Sequence, residues 1–190
     1  MADIKNQKLL YHLTSLVNIS SILQRGLLPR AQLESFADVA NPEIIQNRSE
    51  YGLDSFVPFH WFANNPFDGR VQRDHPDQSF VLIAVRRILA QAENWAVVPR
   101  HPLASGAPEL MNYQQGVAAI DWDTMSRRDY HDAECKSICM AECLSPRVVS
   151  VSDFFRIYAP TDEVAERVRT IIKRVSVQLE VDVNPGMFIR

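Results

Sequence analysis

The chain has 190 residues, of which 46% are apolar and 23% charged, so we expect one globular domain over residues 1–190 and exclude wholesale disorder. Its formal net charge of -3 argues against a protein that holds duplex DNA by charge alone. No apolar run is long enough for a membrane span, and the N-terminus is polar and of mixed charge. We therefore expect a cytoplasmic protein without membrane contact.

The first elements in chain order are a short strand at residues 9–14 and a short helix at residues 18–25. Apolar residues at helical spacing indicate the helix, namely Ile19, Ile22, Leu23 and Leu27. Ser15 or Asn18 can cap its start, and Gly26 suits the left-handed residue that ends it.

The middle of the chain alternates irregular and apolar segments. Residues 29–54 are polar and irregular, with a short helix predicted at 43–47. An aromatic strand is predicted at 56–62, and Pro58, which cannot donate to a ladder, indicates an edge position or a bulge there. The continuous apolar run at 80–85 is typical of a buried central strand.

The second half is richer in strands. Residues 99–117 are predicted to form a long loop, and residues 161–174 a helix with one apolar face and charges that suit its dipole. Further strands are predicted at 95–98, 137–144, 148–158 and 177–183. The order of elements indicates an α+β fold rather than repeated βαβ units.

Neither a common nucleotide motif nor a metal motif is present. The chain lacks a Gly-rich phosphate loop, a Gly-x-Gly-x-x-Gly turn, a Gly-x-Ser-x-Gly elbow and a His-Glu-x-x-His helix. The odd number of cysteines, Cys135, Cys139 and Cys143, argues against a secreted disulfide scaffold. Because no second ligand cluster matches them, we interpret them as packed thiols and expect no metal.

Four spaced motifs carry the functional signal. They are Tyr-His-Leu-Thr at 11–14, Asn-Ile-Ser-Ser-Ile-Leu at 18–23, Arg48 before Phe-Val-Pro-Phe-His-Trp-Phe at 56–62, and Met-Ala-Glu-Cys-Leu at 140–144. Their order and spacing resemble the DarT family of ADP-ribosyltransferase toxins over roughly residues 9–160.

The resemblance implies a fold and a set of roles. The fold would be ADP-ribosyltransferase-like, with two small packed β-sheets, flanking helices and a central NAD cleft. His12 would bind NAD near the nicotinamide and Thr14 near the ribose, with help from Asn18 at the helix start. Arg48 would contact the phosphates or hold the reacting centre, and Glu142 would be the catalytic carboxylate.

The chemistry agrees with these roles. Nicotinamide leaves from an anomeric carbon, so the transition state resembles an oxocarbenium ion, which a fixed carboxylate stabilises. The same carboxylate can remove a proton from an attacking base, and an arginine supplies a rigid fork for phosphate. Glu142 lies in an apolar stretch where an unpaired charge is costly to bury, which favours a functional role.

Simpler structural roles stay open for the other candidates. His12 can be a core histidine, Asn18 only a helix cap and Arg48 a surface charge. Each of these assignments is compatible with a folded domain that has no NAD site.

The target is less defined than the reaction. The segment at 104–118 lacks the Thr-Asp-Gly-Asn-like sequence associated with thymidine-modifying relatives. The resemblance implies single-stranded DNA as the usual target, with RNA as the alternative, and a toxin or phage-defence effector restrained by an antitoxin protein. Two other hypotheses are a protein-modifying transferase, which Met140 disfavours because such enzymes place Gln or Glu there, and an inactive nucleic-acid-binding module of the same fold.

Overall fold

The computed structural model describes residues 3–34, 36–37, 46, 48–102 and 107–189. Within these residues the strands are β1 (Leu9–Ser15), β2 (Val57–His60), β3 (Phe80–Arg86), β4 (Ala96–Val98), β5 (Glu142–Ser145), β6 (Phe154–Ala159) and β7 (Val181–Val183). The helices are α1 (Ile19–Arg25), α2 (Pro66–Asp74), α3 (Arg87–Ala92), α4 (Tyr113–Ala119), α5 (Trp122–Arg127), α6 (Ala133–Ile138) and α7 (Asp162–Val175). Short 3-10 helices lie at Ile4–Asn6, Leu16–Asn18, Arg30–Gln32, Leu53–Ser55, Val151–Asp153 and Pro185–Met187. The α+β class is confirmed.

The described strands form one seven-stranded sheet in the order β4-β5-β2-β1-β3-β6-β7. The pairs are antiparallel except for β6 and β7, which are parallel. β1 pairs with β3 along its whole length, but with β2 only at Tyr11 opposite His60. The expected pair of packed sheets is therefore not confirmed: its halves, β4-β5-β2 and β1-β3-β6-β7, are joined edge to edge through that narrow contact.

The buried Arg87 connects the two halves on one side of this contact. Its Nε donates to the carbonyl of Leu9 at 3.1 Å, and its Nη2 donates to the carbonyl of Trp61 at 2.7 Å. Its Nη1 donates to the carbonyl of Lys5 at 3.0 Å. Burial lowers the pKa of Arg87 to about 10, so the guanidinium remains charged at neutral pH and its hydrogen bonds are charge-assisted.

The core lies where the apolar patterns predict it. The residues of β3 from Phe80 to Val85 are all buried, as expected for a central strand. α7 turns an apolar face inward through Val164, Ala165, Val168 and Ile172, and it packs against α1. No helix in the described part of the chain is long and apolar enough to span a membrane.

Several predicted boundaries are wrong because side-chain caps override the apolar pattern. The segment at 137–144 begins inside α6, whose N-terminus is capped by Asp132, and becomes a strand only at Glu142. The loop at 99–117 contains the start of α4, capped by Asn112. The last strand covers only Val181–Val183, and β6 begins at Phe154 after a 3-10 turn.

Three further predictions concern Pro58, the segment at 43–47 and the cysteines. Pro58 lies in an inner strand, not at an edge, although it faces the gap beside β1. The helix expected at 43–47 falls mostly outside the described residues, within which Gln46 is helical. All three cysteines are buried and unoxidised, and the thiols of Cys135 and Cys139 donate to the carbonyls of Thr124 and Met125.

Gly26 should be the less replaceable of two glycines with positive φ. Gly26 has a φ of 82°, and a Cβ on it would lie 2.6 Å from the Val149 carbonyl oxygen; Gly52 has a φ of 67° and open space around it. Gly52→Ala should therefore lower the free energy of unfolding by about 1–2 kcal/mol through backbone strain alone. Gly26→Ala should lower it by about 1–3 kcal/mol more through steric overlap. Urea unfolding checks this, and equal losses in the two variants would contradict the packing described at Gly26.

Candidate active site

A cleft opens in the sheet where β1 and β2 separate. Pro58 carries no N–H, and its carbonyl accepts a hydrogen bond from His12 Nδ1 at 2.8 Å instead of from a backbone amide of β1. The gap leads into a cavity of about 440 Å³. Its described lining includes all of the predicted site residues, namely His12, Thr14, Asn18, Arg48 and Glu142.

A buried ion pair lies in this cavity. Arg48 Nη1 is 2.8 Å from Glu142 Oε1 and 2.9 Å from Oε2, and the two side chains are only 14% and 8% exposed. Arg48 Nη2 is buried and has no hydrogen-bond partner among the described residues. Because each buried charge depends on the other, the pair fixes the carboxylate in one place within the cavity.

The backbone of β5 sets the position of Glu142. It is the first residue of the strand and lies opposite His60 of β2 on one side and Val98 of β4 on the other. This placement between two neighbouring strands fixes the backbone from which the carboxylate enters the cavity. Met140, two residues earlier, also lines the cavity.

The cavity histidines are neutral groups near pH 7. Burial lowers the pKa of His60 to about 4, although the Glu142 carboxylate acts in the opposite direction. Burial also lowers the pKa of His12 and of His101. Because the Pro58 carbonyl can only accept, His12 carries its proton on Nδ1, and Nε2 is left as an acceptor. The His60 ring stacks on Phe67 with centroids 5.2 Å apart.

The Asn18 side chain is used to hold another wall of the cavity. Its Oδ1 accepts from the Ala37 backbone N–H at 2.9 Å, and its Nδ2 donates to the Ala37 carbonyl at 3.0 Å. Nδ2 also reaches Thr14 Oγ1 at 3.4 Å. The side chain makes no capping hydrogen bond to α1, so Asn18 contributes to the site mainly by fixing Ala37.

Several lining residues were not among the predicted site residues. These include Arg30, Phe36, His60, Phe67 and His101. No local motif marks them, since their proximity arises from tertiary folding.

The fold is shared with solved structures of DarT proteins. Thermus sp. 2.9 DarT in complex with ADP-ribosylated ssDNA has a TM-score of 0.82 and 16% identity over 96% of each chain. The same protein in complex with NAD+ has a TM-score of 0.77 and 16% identity over 97% of this chain and 98% of that one. Thermosipho africanus DarTG in complex with ADP-ribose has a TM-score of 0.75 and 22% identity over 96% of this chain and 51% of that one.

The chain belongs to the DarT family. The family model described as ssDNA thymidine ADP-ribosyltransferase, DarT, matches residues 11–189. None of the curated protein sequences compared with the chain matches it. The family confirms the resemblance that the four motifs indicated.

Protonation of His60 should destabilise the fold in acid. Its folded pKa of about 4 lies below the ordinary 6.5, so the unfolded state binds the proton first and stability falls as the pH drops from 6.5 toward 4. His60→Gln should abolish this contribution, worth about 2 kcal/mol at about pH 5. Urea unfolding of both proteins at about pH 7.5 and about pH 5 tests the difference.

The wild type must be compared with His60→Gln because the titration of Asp68 changes the stability with pH in the opposite direction. Burial raises the pKa of Asp68 to about 7, so its contribution to stability is present in acid and is lost as the pH rises through 7. That contribution is common to both proteins and cancels. Parallel pH dependences in wild type and His60→Gln would contradict the buried, neutral state of His60.

Proposed function

We propose that the chain transfers ADP-ribose from NAD to a base of single-stranded DNA, with Glu142 as the catalytic carboxylate. The observation that carries this proposal is the buried ion pair of Arg48 and Glu142 inside the cavity between β1 and β2. The description of the family supports single-stranded DNA over RNA and thymidine as the base. The Thermus relative in complex with ADP-ribosylated ssDNA supports the same polymer.

The cavity offers matching groups for the nicotinamide half of NAD. His12 Nε2 is an acceptor for a ribose hydroxyl or the carboxamide, and Thr14 Oγ1 is close enough to take part from the same strand. Asn18 supports the site through Ala37 and is a positioning residue in this proposal. Arg48 holds the carboxylate of Glu142 at the reacting centre.

In the reaction, the bond between ribose C1′ and the nicotinamide nitrogen breaks, and its electron pair leaves with nicotinamide. The Glu142 carboxylate stabilises the positive charge that develops on the ribose. A base nitrogen then bonds to C1′, and its proton passes to Glu142 as general base. The neutral histidines nearby add no positive charge that would oppose the developing cation.

The setting of this reaction is a toxin restrained by an antitoxin protein, as in a toxin–antitoxin or phage-defence system. The Thermosipho relative is a DarTG chain, and the present chain matches 51% of it. We place the enzyme in the cytoplasm, where NAD and the DNA substrate are found. The family match over residues 11–189 supports a single transferase domain over residues 1–190.

Glu142→Gln should lower the transfer rate by about 10²- to 10⁴-fold, because the amide keeps the shape but neither stabilises the cation nor accepts the proton. The measurement is transfer of label from NAD to single-stranded DNA with thymidine, the same strand without thymidine, RNA, and cell protein. The matched control is Glu163→Gln, an exposed residue in the first turn of α7.

Loss of transfer in the Glu142 variant alone, with label only on thymidine-containing DNA, is the expected result. Undiminished transfer by Glu142→Gln would refute the catalytic assignment. Label on RNA or protein instead of DNA would refute the proposed target while leaving the reaction class intact.

A further inference from the structure

A pair of aromatic rings lines the cavity beside the Glu142 carboxylate. The rings of His60 and Phe67 are stacked, with centroids 5.2 Å apart and planes inclined by 29°, and both residues line the cavity. His60 lies directly opposite Glu142 in the ladder between β2 and β5. Directly opposed residues of antiparallel strands point to the same face of the sheet, with Cβ atoms about 4.5–5.5 Å apart, so the ring pair adjoins the carboxylate.

The two rings offer a ligand both an aromatic surface and a polar atom. Phe67 is only partly buried and contributes to the cavity wall, so part of its ring is open to a ligand. His60 is 5% exposed, and its Nδ1 is buried without a hydrogen-bond partner among the described residues. An imidazole nitrogen donates or accepts according to its tautomer, so this atom suits the polar edge of a flat heterocycle.

Side-chain hydrogen bonds hold the turn that connects the two rings. Asn65 Oδ1 accepts from the Asp68 N–H at 3.0 Å, and Asn65 Nδ2 donates to Asp68 Oδ2 at 2.8 Å. Asp68 Oδ2 also accepts from the Asn64 N–H at 3.2 Å. This network fixes the start of α2, and with it Phe67, before any ligand arrives. A surface fixed in advance lowers the entropic cost of binding.

The chemistry of the transfer decides which flat ring this surface suits. Glu142 accepts a proton from the attacking base, so the base must bring its N–H within hydrogen-bond reach of the carboxylate. Nicotinamide gives no proton to the carboxylate, and it lies beside His12 in the proposed function. His12 is hydrogen-bonded to Pro58, two residues before His60 in β2. The position of His60 and Phe67 beside the carboxylate therefore matches the base better than nicotinamide.

We propose that Phe67, backed by His60, is the surface on which the target thymine of single-stranded DNA stacks. This inference rests on the proposed function, because it assumes that a base attacks C1′ beside Glu142. A base that enters the cavity loses the stacking partners that it has within the strand, and the Phe67 ring replaces one of them. Stacking of a base on an aromatic side chain typically strengthens binding by about 10- to 100-fold.

Phe67→Leu removes the ring but keeps an apolar side chain of moderate size. It should raise the KM for thymidine-containing single-stranded DNA by about 10- to 100-fold, while the KM for NAD stays unchanged. Phe67→Trp keeps a stacking face and should have a KM for DNA close to that of the wild type. Initial rates of label transfer from NAD to DNA measure both constants, and thermal unfolding shows that the variants fold.

A change in the substrate separates stacking from a structural role of Phe67. 5,6-Dihydrothymine keeps the N3–H and both carbonyls of thymine, but its ring is not planar. The preference for thymine over dihydrothymine, measured as a ratio of kcat/KM values, should shrink by about 10- to 100-fold in Phe67→Leu. Any difference in the intrinsic reactivity of the two bases is common to both enzymes and cancels. A merely structural role would lower both rates by the same factor.

The matched control is Tyr158→Leu, which removes another partly buried ring from the same apolar cluster, outside the described cavity lining. It should keep the KM for DNA and the preference for thymine. An unchanged KM for DNA and an unchanged preference in Phe67→Leu would overturn the inference, as would a raised KM for NAD in their place. If Glu142→Gln is still inactive in that case, the proposed function stands alone. Failure of the wild-type chain to transfer label to DNA would overturn both.

Discussion

The ion pair between Arg48 and Glu142 is the constraint on which the site depends. It joins two segments that are 94 residues apart in the sequence, and both side chains are largely removed from water. Removal of one partner would leave the other as an uncompensated buried charge, which typically lowers stability by about 3–5 kcal/mol. The pair therefore ties the segment that carries Arg48 to the start of β5, and it holds the carboxylate in the cleft before any substrate arrives.

The sheet makes room for this pair without losing its continuity. β1 and β2 stay together at Tyr11 and His60, and the guanidinium of Arg87 connects their backbones on one side of that point. On the other side the strands separate, and His12 supplies the hydrogen bond that the Pro58 carbonyl would otherwise lack. Because Pro58 has no N–H, opening the sheet here leaves one fewer donor without a partner. A cleft for a dinucleotide can therefore lie within a hydrogen-bonded sheet.

Elements with strong local patterns can be predicted from the sequence. The apolar run of β3 and the amphipathic pattern of α7 predict buried elements directly, and Gly26 marks the end of α1. Glu142 stands out because a carboxylate within an apolar stretch needs a partner. The resemblance to the DarT family depends on the order and spacing of four motifs, and no single motif would establish it.

Other features depend on contacts that sequence spacing does not encode. The start of α6 is decided by the Asp132 cap, so an apolar segment that predicts a strand is partly helical. The pairing of Asn18 with Ala37 and the placement of Arg30 and Arg48 in one cavity arise only when distant segments meet. The single sheet, in place of two, follows from the narrow contact of β1 with β2, which leaves no sequence signature.

The catalytic role of Glu142 can be tested by a crystal structure of the wild-type chain with carba-NAD+, an analogue whose nicotinamide cannot be released. We expect the analogue to lie between β1 and β2, with its nicotinamide beside His12 and C1′ of the adjoining ring against the Glu142 carboxylate. Arg48 should still contact that carboxylate. An analogue bound outside the cleft, or one whose C1′ lies beyond the reach of Glu142, would contradict the catalytic role of Glu142.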